Sequence, residues 1–480
     1  MPIPTFMSLN IGVSALQAMQ QAESVVGNNI ANASTSGYAQ ETTNFSEGAP
    51  YPRIPGPGPN VAGQFSQGVT VSNISRNINA FYNLQDRLNQ GTYQMYSSRG
   101  TVLTQIQSIL NEPSNSSLQN SLDQFFQSWQ SLSTDPQSTA ARQAVLSQIQ
   151  TMGQTFQTVT TQLQSLQSNL QGVINGQVNQ LNQDAAQVAQ LNRQIVAVVR
   201  SNESPNTLLD QRGKLLNDMS QLANITYSAD PSGNGAVTVN IVQSSGHTIN
   251  LVTGSTATPY STSNAQISQI TSGQIAGNVQ GYNDVVQTLG SIKALLTSFA
   301  GAVNSQHQQG FTPTGAPGGT LISGPAPTGV ISLPSGVTTG DIAAAGSSSS
   351  STSSSGTTSA GPGDNQNAIA MAQLQGTTET SQINYTLFDN TTVSQTSTGT
   401  FDQLLGQIVT TVGTNTSAVQ FNEQTANALA QQSSQLRQSV SGVSTDQQAA
   451  LMVQYQNSYN AAAKFISVFD QMLQNLISSV

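Results

Sequence analysis

The 480-residue sequence predicts a mainly α protein: an elongated helical bundle or coiled-coil body built by the amino- and carboxyl-terminal halves, with a small β insertion and a flexible Gly/Ser-rich segment. Three observations predict it. Heptad-spaced apolar seams stand at both ends and recur between them, only short stretches alternate with period two, and one long stretch is nearly free of apolar side chains. At the carboxyl end Met452, Tyr455, Tyr459, Ala462, Ile466, Phe469, Leu473, Leu476 and Val480 keep a 3-4 rhythm. At the amino end Leu9, Gly12, Leu16, Met19, Glu23, Val26 and Ile30 keep the same rhythm, widened by Ile11, Ala15, Ala18, Ala22 and Val25. A lone helix does not offset its ordering entropy, whereas burying one large seam residue contributes roughly 1.5–3 kcal/mol. Each seam therefore needs a helical partner, either the other terminus of the same chain or a neighbouring molecule.

The first helix is expected over 8–30, breaking in the Asn/Ser/Thr/Gly run 28–37, where side chains compete for backbone hydrogen bonds and Gly37 permits positive φ. YPRIPGPGP at 51–59 reads as an extended spacer, because proline fixes φ and removes donors. VTVSNISRNI at 69–78 alternates as a strand before a helix over 80–110, and Glu112, Pro113 and Ser114 mark a turn. A helix over 118–131 carries Leu122, Phe125, Phe126 and Trp129 on one side, with Trp129 expected in the core.

Residues 140–200 predict one long helix or two. Phe156, Val159, Leu163, Leu166, Leu170 and Val173 hold one seam, and Ile174, Val178, Leu181, Ala185 and Val188 continue one residue out of phase, with Gly172 and Gly176 at the slip. After a helix over 206–223, AVTVNIV at 236–242 and HTINLV at 247–252 are expected to pair as a hairpin. Helix resumes after Gly281, where Tyr282, Val285, Leu289, Ile292, Leu296, Phe299 and Val303 should pack on the Phe156 seam. From 310 to 363 the composition collapses into Gly, Pro, Ser and Thr, and 345–362 is expected to be mobile. Helices follow over 365–375 and 401–440. A Ser441-Gly442-Val443-Ser444 hinge leads to the terminal helix, with Ser444 or Thr445 as its N-cap and Asp446 in its first turn.

The expected domains are a terminal coiled-coil assembly domain (1–45 with 441–480), a helical body (46–225, 276–310 and 364–440), a β-hairpin region (226–275) and a flexible insertion (311–363). Only 7% of residues are charged, so the surface is built from Gln, Asn, Ser and Thr, which suits faces that pack closely on copies or relatives. A net charge of -9 and the lack of a basic patch argue against nucleic acid as a partner. With no cysteine there is no disulfide framework, and the longest apolar run, 195–199, is far short of a membrane span. The first basic side chain is Arg53, so no secretory signal is expected at the start.

Nothing in the chain assembles a catalytic or cofactor site. Two histidines and no cysteine exclude the familiar metal-ligand spacings; His247 is expected on the surface and His307 as a helix cap. No nucleophile elbow, phosphate loop or dinucleotide fingerprint is present, and Asn-x-Ser/Thr triplets such as 224–226 and 384–386 follow from composition. The chain is therefore read as no enzyme, with no catalytic residue, cofactor or metal.

SALQAMQQAESVVGNNIANASTSGYAQ (14–40) and SGVSTDQQAALMVQYQNSYNAAAKFISVFDQMLQNLI (441–477) resemble the paired signatures of bacterial flagellar rod, hook and hook-associated axial proteins. LLDQRGKLLNDMSQL (208–222), VNSQHQQGFTPTGAPGG (303–319) and GDNQNAIAMAQLQ (363–375) narrow the resemblance to the hook-associated protein 1 family of hook-filament junction proteins. The resemblance implies a structural adaptor exported unfolded through the flagellar type III apparatus. Its implied partners are copies of itself in a ring, hook protein, the next hook-associated protein and an export chaperone. It also implies terminal helices that order only on assembly, with Asn28, Asn29, Asn32, Gly37 and Tyr38 in the turn after the first helix and Tyr455, Tyr459, Ala462, Ile466 and Leu473 on the closing seam. Together with Leu9, Leu16, Met19, Val26, Ile30, Phe469 and Leu476 these are the expected assembly residues. The family pattern begins at Met7, after MPIPTF, and the Ser-rich 346–363 stands where that pattern is shorter. The alternatives are a hook or rod subunit, or a surface coiled-coil adhesin.

Overall fold

A computed structural model describes residues 5–51, 65–111, 114, 117–324, 330–346 and 363–478. The proline-rich spacer (52–59), Glu112, Pro113, most of the Ser-rich segment (347–362) and Val480 lie outside the described residues. Helix α1 (Thr5–Ala31) leads into β1 (Glu41–Glu47), which pairs antiparallel with β4 (Val69–Arg76); the two-residue strands β2 (Pro50–Tyr51) and β3 (Phe65–Ser66) pair between them. Then come α2 (Ala80–Leu110), α3 (Leu118–Thr134), α4 (Thr139–Arg200) and α5 (Asn206–Leu222). The first three of these start where Asn79, Ser117 and Ser138 each accept a first-turn amide through the side chain, satisfying a donor that the helix leaves orphaned. β5 (Ile225–Ala229), β6 (Val237–Val242), β7 (Thr248–Thr253) and β8 (Thr256–Ala257) form one antiparallel sheet in that order. The chain continues through α6 (Asn264–Ile267), α7 (Gly273–Gln309), α8 (Gln366–Gln373), the β9 (Glu379–Thr386) and β10 (Thr392–Gly399) hairpin, α9 (Phe401–Ser441) and α10 (Thr445–Ser478).

The body is mainly α, and its long helices share two cores. In the first, Phe125, Phe126 and Trp129 of α3 meet Phe156 and Leu163 of α4, Phe299 and Val303 of α7, and Phe401 of α9. In the second, Ile174, Val178 and Leu181 of α4 meet Met219, Val239, Ile241 and Ile275. The expected phase slip in α4 falls at the passage between them, since Leu170 belongs to the first core and Ile174 to the second. No second helix is needed: α4 runs unbroken for 62 residues, and Val173, expected on the seam, is exposed.

Several expectations change. Helix α7 begins nine residues before the expected start at Tyr282, because its glycines are contact positions and not breakers. A Cβ at Gly277 would lie 2.2 Å from the Met95 carbonyl oxygen, and one at Gly281 would lie 2.8 Å from Val102 Cβ, so only glycine lets α7 approach α2 this closely. The expected hairpin is a four-stranded sheet, and the β1–β4 and β9–β10 pairs include strands whose polar Ser/Thr/Gln sequences hide their alternation.

The larger correction concerns 311–346, expected within the flexible insertion. Leu321, Ile322, Ile331, Ile342 and Ala344 are buried in the first core. His307, expected as a cap, is buried and anchors this segment: its Nδ1–H donates to the Gly319 carbonyl (2.8 Å), and the Ala343 N–H donates to Nε2 (2.9 Å). Those bonds require a neutral ring, and burial pushes the His307 pKa down from its ordinary value. A base lowered on folding contributes stability that is present above its unfolded value of about 6.5 and lost as pH falls through the folded one. Acidification from pH 7.5 to 5.5 is therefore expected to lower the protection of the Ala343 amide, read as its exchange rate relative to the intrinsic rate at each pH; protection that stays flat over that range refutes the anchoring role.

Candidate assembly site at the terminal helices

Helices α1 and α10 lie antiparallel, with Asn29 against Gln448 at one end and Gly12 against Ile466 at the other. A Cβ at Gly12 would sit 2.6 Å from Ile466 Cγ1, so this glycine admits the facing side chain. The resemblance implied terminal helices without order before assembly; in the structure both are helical and cover part of each other. On α1 the buried line is Ala18, Ala22, Val25, Val26 and Asn29, which includes Ala18, Ala22 and Val25 of the residues that widened the expected seam; Ile11 and Ala15, like Leu9, Leu16, Met19 and Ile30, are half-buried beside it. On α10, Tyr455, Ala462, Ile466, Phe469 and Leu473 are half-buried, Tyr459 is exposed, and the Leu476 side chain lies outside the described residues. Tyr455 also meets the Phe45 ring of β1 edge to face at 6.1 Å.

The turn after α1 is knotted by one side chain. Asn29 Nδ2 donates to the Glu41 carbonyl (2.8 Å) and to Gln448 Oε1 (2.9 Å), while its Oδ1 accepts from the Glu41 N–H (2.9 Å) and the Tyr38 hydroxyl (2.8 Å). Both amide donors and both lone pairs are used, so Asn29 joins α1, the turn, β1 and the first turn of α10. Asn28 is exposed and accepts from Asn32 Nδ2 (3.0 Å to the carbonyl), and Gly37 supplies a φ of 85°. Ser444 accepts from the Gln447 N–H at 3.4 Å and caps α10. The Gln40 N–H donates to Ser441 O (2.9 Å), tying the turn to the end of α9. Burial, reinforced by the Glu41 and Asp210 carboxylates, holds the Tyr38 hydroxyl well above its ordinary value and keeps it a donor. Burial also pushes Glu41 and Asp210 up, against the opposing charge of Arg76, which pairs with Asp210.

Sequence reasoning singled out Asn29 and Tyr38 but missed Gln448 and Glu41. Nothing local marks a partner 419 positions away. Asn29→Ala leaves buried Gln448, the Glu41 amide and the Tyr38 hydroxyl unpaired, at about 1–3 kcal/mol for each group left unsatisfied. The loss is expected to be local: exchange in the first turn of α10 accelerates while amides of the Phe299 core do not change. Unaltered protection in that turn would sink the knot.

Pairing does not cover all apolar surface. Phe465, Val468 and Met472 follow i, i+3, i+7 along α10 and stay exposed at 46%, 49% and 54%, with Val13 of α1 and Val453 also open to water. Among the described residues no helix is long and apolar enough to cross a membrane, and no group of three or more His, Cys, Asp or Glu could hold a metal. What this face of α10 offers is open apolar surface.

The model of the flagellar hook-associated protein FlgK helical domain matches residues 103–322. The flagella basal body rod protein model matches 9–38, and that of the flagellar basal body rod FlgEFG protein C-terminal region matches 434–479. The flagellar hook-associated protein 1 of Bacillus subtilis is 27% identical over 99% of this chain and 98% of its own length. That of Salmonella typhimurium is 30% identical over 66% of this chain, which spans 59% of its length. The solved flagellar hook junction protein FlgK from Burkholderia pseudomallei shares the fold, with a TM-score of 0.58 at 17% identity over 75% of this chain and 100% of that one. With a hook-associated centre between two rod-type ends, the chain is similar along nearly its whole length to flagellar hook-associated protein 1.

Proposed function

We propose that the protein is a structural adaptor of the bacterial flagellum that joins hook to filament. The observation that carries this reading is the combination of a hook-associated centre with terminal helices that pair yet leave an apolar face open. Copies of the chain form a ring in which that face of α10 is covered by the terminal helices of a neighbour. The body contacts hook protein on one side and the next hook-associated protein on the other. Energy comes from modest contacts repeated by symmetry. The chain is a flagellar component by similarity, and we assign it to the extracellular flagellum, reached through the type III apparatus with the help of an export chaperone. The family is a structural one, and we assign the chain no catalysis.

A hook or rod subunit is disfavoured because the hook-associated helical domain fills 103–322, whereas the rod-type matches are confined to the ends. Nothing favours an adhesin. Deleting 1–45 or 441–480 is expected to leave a folded body, since both cores are built entirely from residues outside those segments. The hook-filament joint and swimming are expected to be lost. Undiminished swimming by either deletion strain would defeat the proposal.

A further inference from the structure

Four of the chain's 12 basic residues, Arg76, Arg87, Arg212 and Arg437, line a single cavity of about 210 Å³. Its walls are the turn at Gly37, Tyr38 and Ala39, the end of β4 at Arg76, helices α2 and α5, Tyr227 of β5 and the end of α9. In a chain with so few charges, this concentration calls for a physical account.

The local carboxylates do not balance it. Asp210 pairs with Arg76, and Asp86 pairs with Arg437 at 2.8 Å, while Glu41 stands beside Arg76 and Asp210. Among the described residues neither Arg87 nor Arg212 has an ion-pair partner. Arg87 Nε donates to Asn217 Oδ1 (2.6 Å), and its guanidinium lies over the Tyr227 ring at 4.8 Å; Arg212 Nη1 donates to Asn192 Oδ1 (2.9 Å) and the Gly235 carbonyl (2.7 Å). Burial, with the charges of Arg76 and Arg87 behind it, brings the Arg212 pKa down to about 10.

Unpaired donors gather at the same place. Arg76 Nε, Arg87 Nη1 and Ser441 Oγ are buried without a hydrogen-bond partner, and all three residues line the cavity; Arg87 is only 8% exposed. Buried donors are ordinarily satisfied, and guanidinium forks match oxyanions in a bidentate geometry. We infer that this cavity binds a small inorganic oxyanion, phosphate or sulfate, held by Arg76, Arg87 and Arg212 with the Ser441 hydroxyl. A carboxylate of another chain fits less well, because the Arg87 and Arg212 side chains that face the cavity are themselves buried, at 8% and 9% exposure. Bound there, the anion links the turn after α1 and the end of α9 to the body and stiffens the root of the terminal helices.

The inference does not depend on the junction role, and the purified full-length chain tests it. Thermal unfolding is followed against inorganic phosphate, with sodium chloride at matched ionic strength as the reference. The expected result is a saturable rise in Tm in the millimolar range, with half-saturation about tenfold weaker in Arg87→Lys, which keeps the charge and loses the fork. Phosphate also stabilises proteins by exclusion from their surface. A rise that never saturates and is identical in Arg87→Lys, or no rise, overturns the site. Should Arg87→Lys fail to fold, the phosphorus-31 linewidth of phosphate with the unaltered chain decides: broadening reversed by sulfate supports the site, and an unbroadened line refutes it.

Discussion

Replacing Val468 and Met472 together by glutamate is expected to abolish swimming while leaving the unfolding of the isolated chain unchanged within about 0.5 kcal/mol. Both side chains are about half exposed and stand clear of the two cores, so the isolated chain loses little packing. A neighbour covering the same face would have to bury two unpaired carboxylates, which costs several kcal/mol for each ion before any apolar contact is lost. A ring repeats that penalty at every subunit boundary. The readouts are halo diameter in soft agar and electron microscopy of hooks, with chemical denaturation of the purified variant as the control. Full-sized halos would mean that this face of α10 meets water in the flagellum as well, and the proposed interface would be wrong.

Phe299→Ala carries the largest expected effect on the body. The ring is completely buried and meets Phe125 at 5.0 Å, Phe401 at 5.3 Å and Phe126 at 6.1 Å, so it joins α3, α7 and α9 in one aromatic cluster. Truncation to alanine removes the transfer energy of the ring and leaves a cavity, together about 3–5 kcal/mol. Against a total of roughly 5–15 kcal/mol for a folded domain, that is a large share. The denaturant midpoint should fall while the slope of the transition stays the same. An unfolding free energy lowered by less than ~1 kcal/mol would mean that the three helices do not meet through this ring.

Much of this architecture was legible in order and type. The period of the apolar residues marks α2, α4, α9 and α10 to within a residue or two, because a helix that buries one stripe must repeat it every turn. Trp129 and its phenylalanines were legible as core for the same reason. The β9–β10 hairpin was not: its strands are dominated by Thr, Ser and Gln, and only β9 packs an apolar side chain, Ile383, inward. The early start of α7 was hidden because glycine reads locally as a breaker, whereas Gly277 and Gly281 are required by a helix far away in sequence. His307 was misread for a similar reason: the bonds that define it come from Gly319 and Ala343, in a segment whose composition reads as loop.

The assembly residues divide along the same line. That both ends form amphipathic helices followed from the amino-acid order alone, since periodicity is a property of the chain. Which side of each helix is spent on the other, and which stays open to water, was decided only by tertiary packing. Gly12 against Ile466 and Asn29 against Gln448 set the register of the pair, and that register leaves Val468 and Met472 facing outward. Pair contacts between distant segments depend on where the fold brings them, and no local pattern encodes that distance.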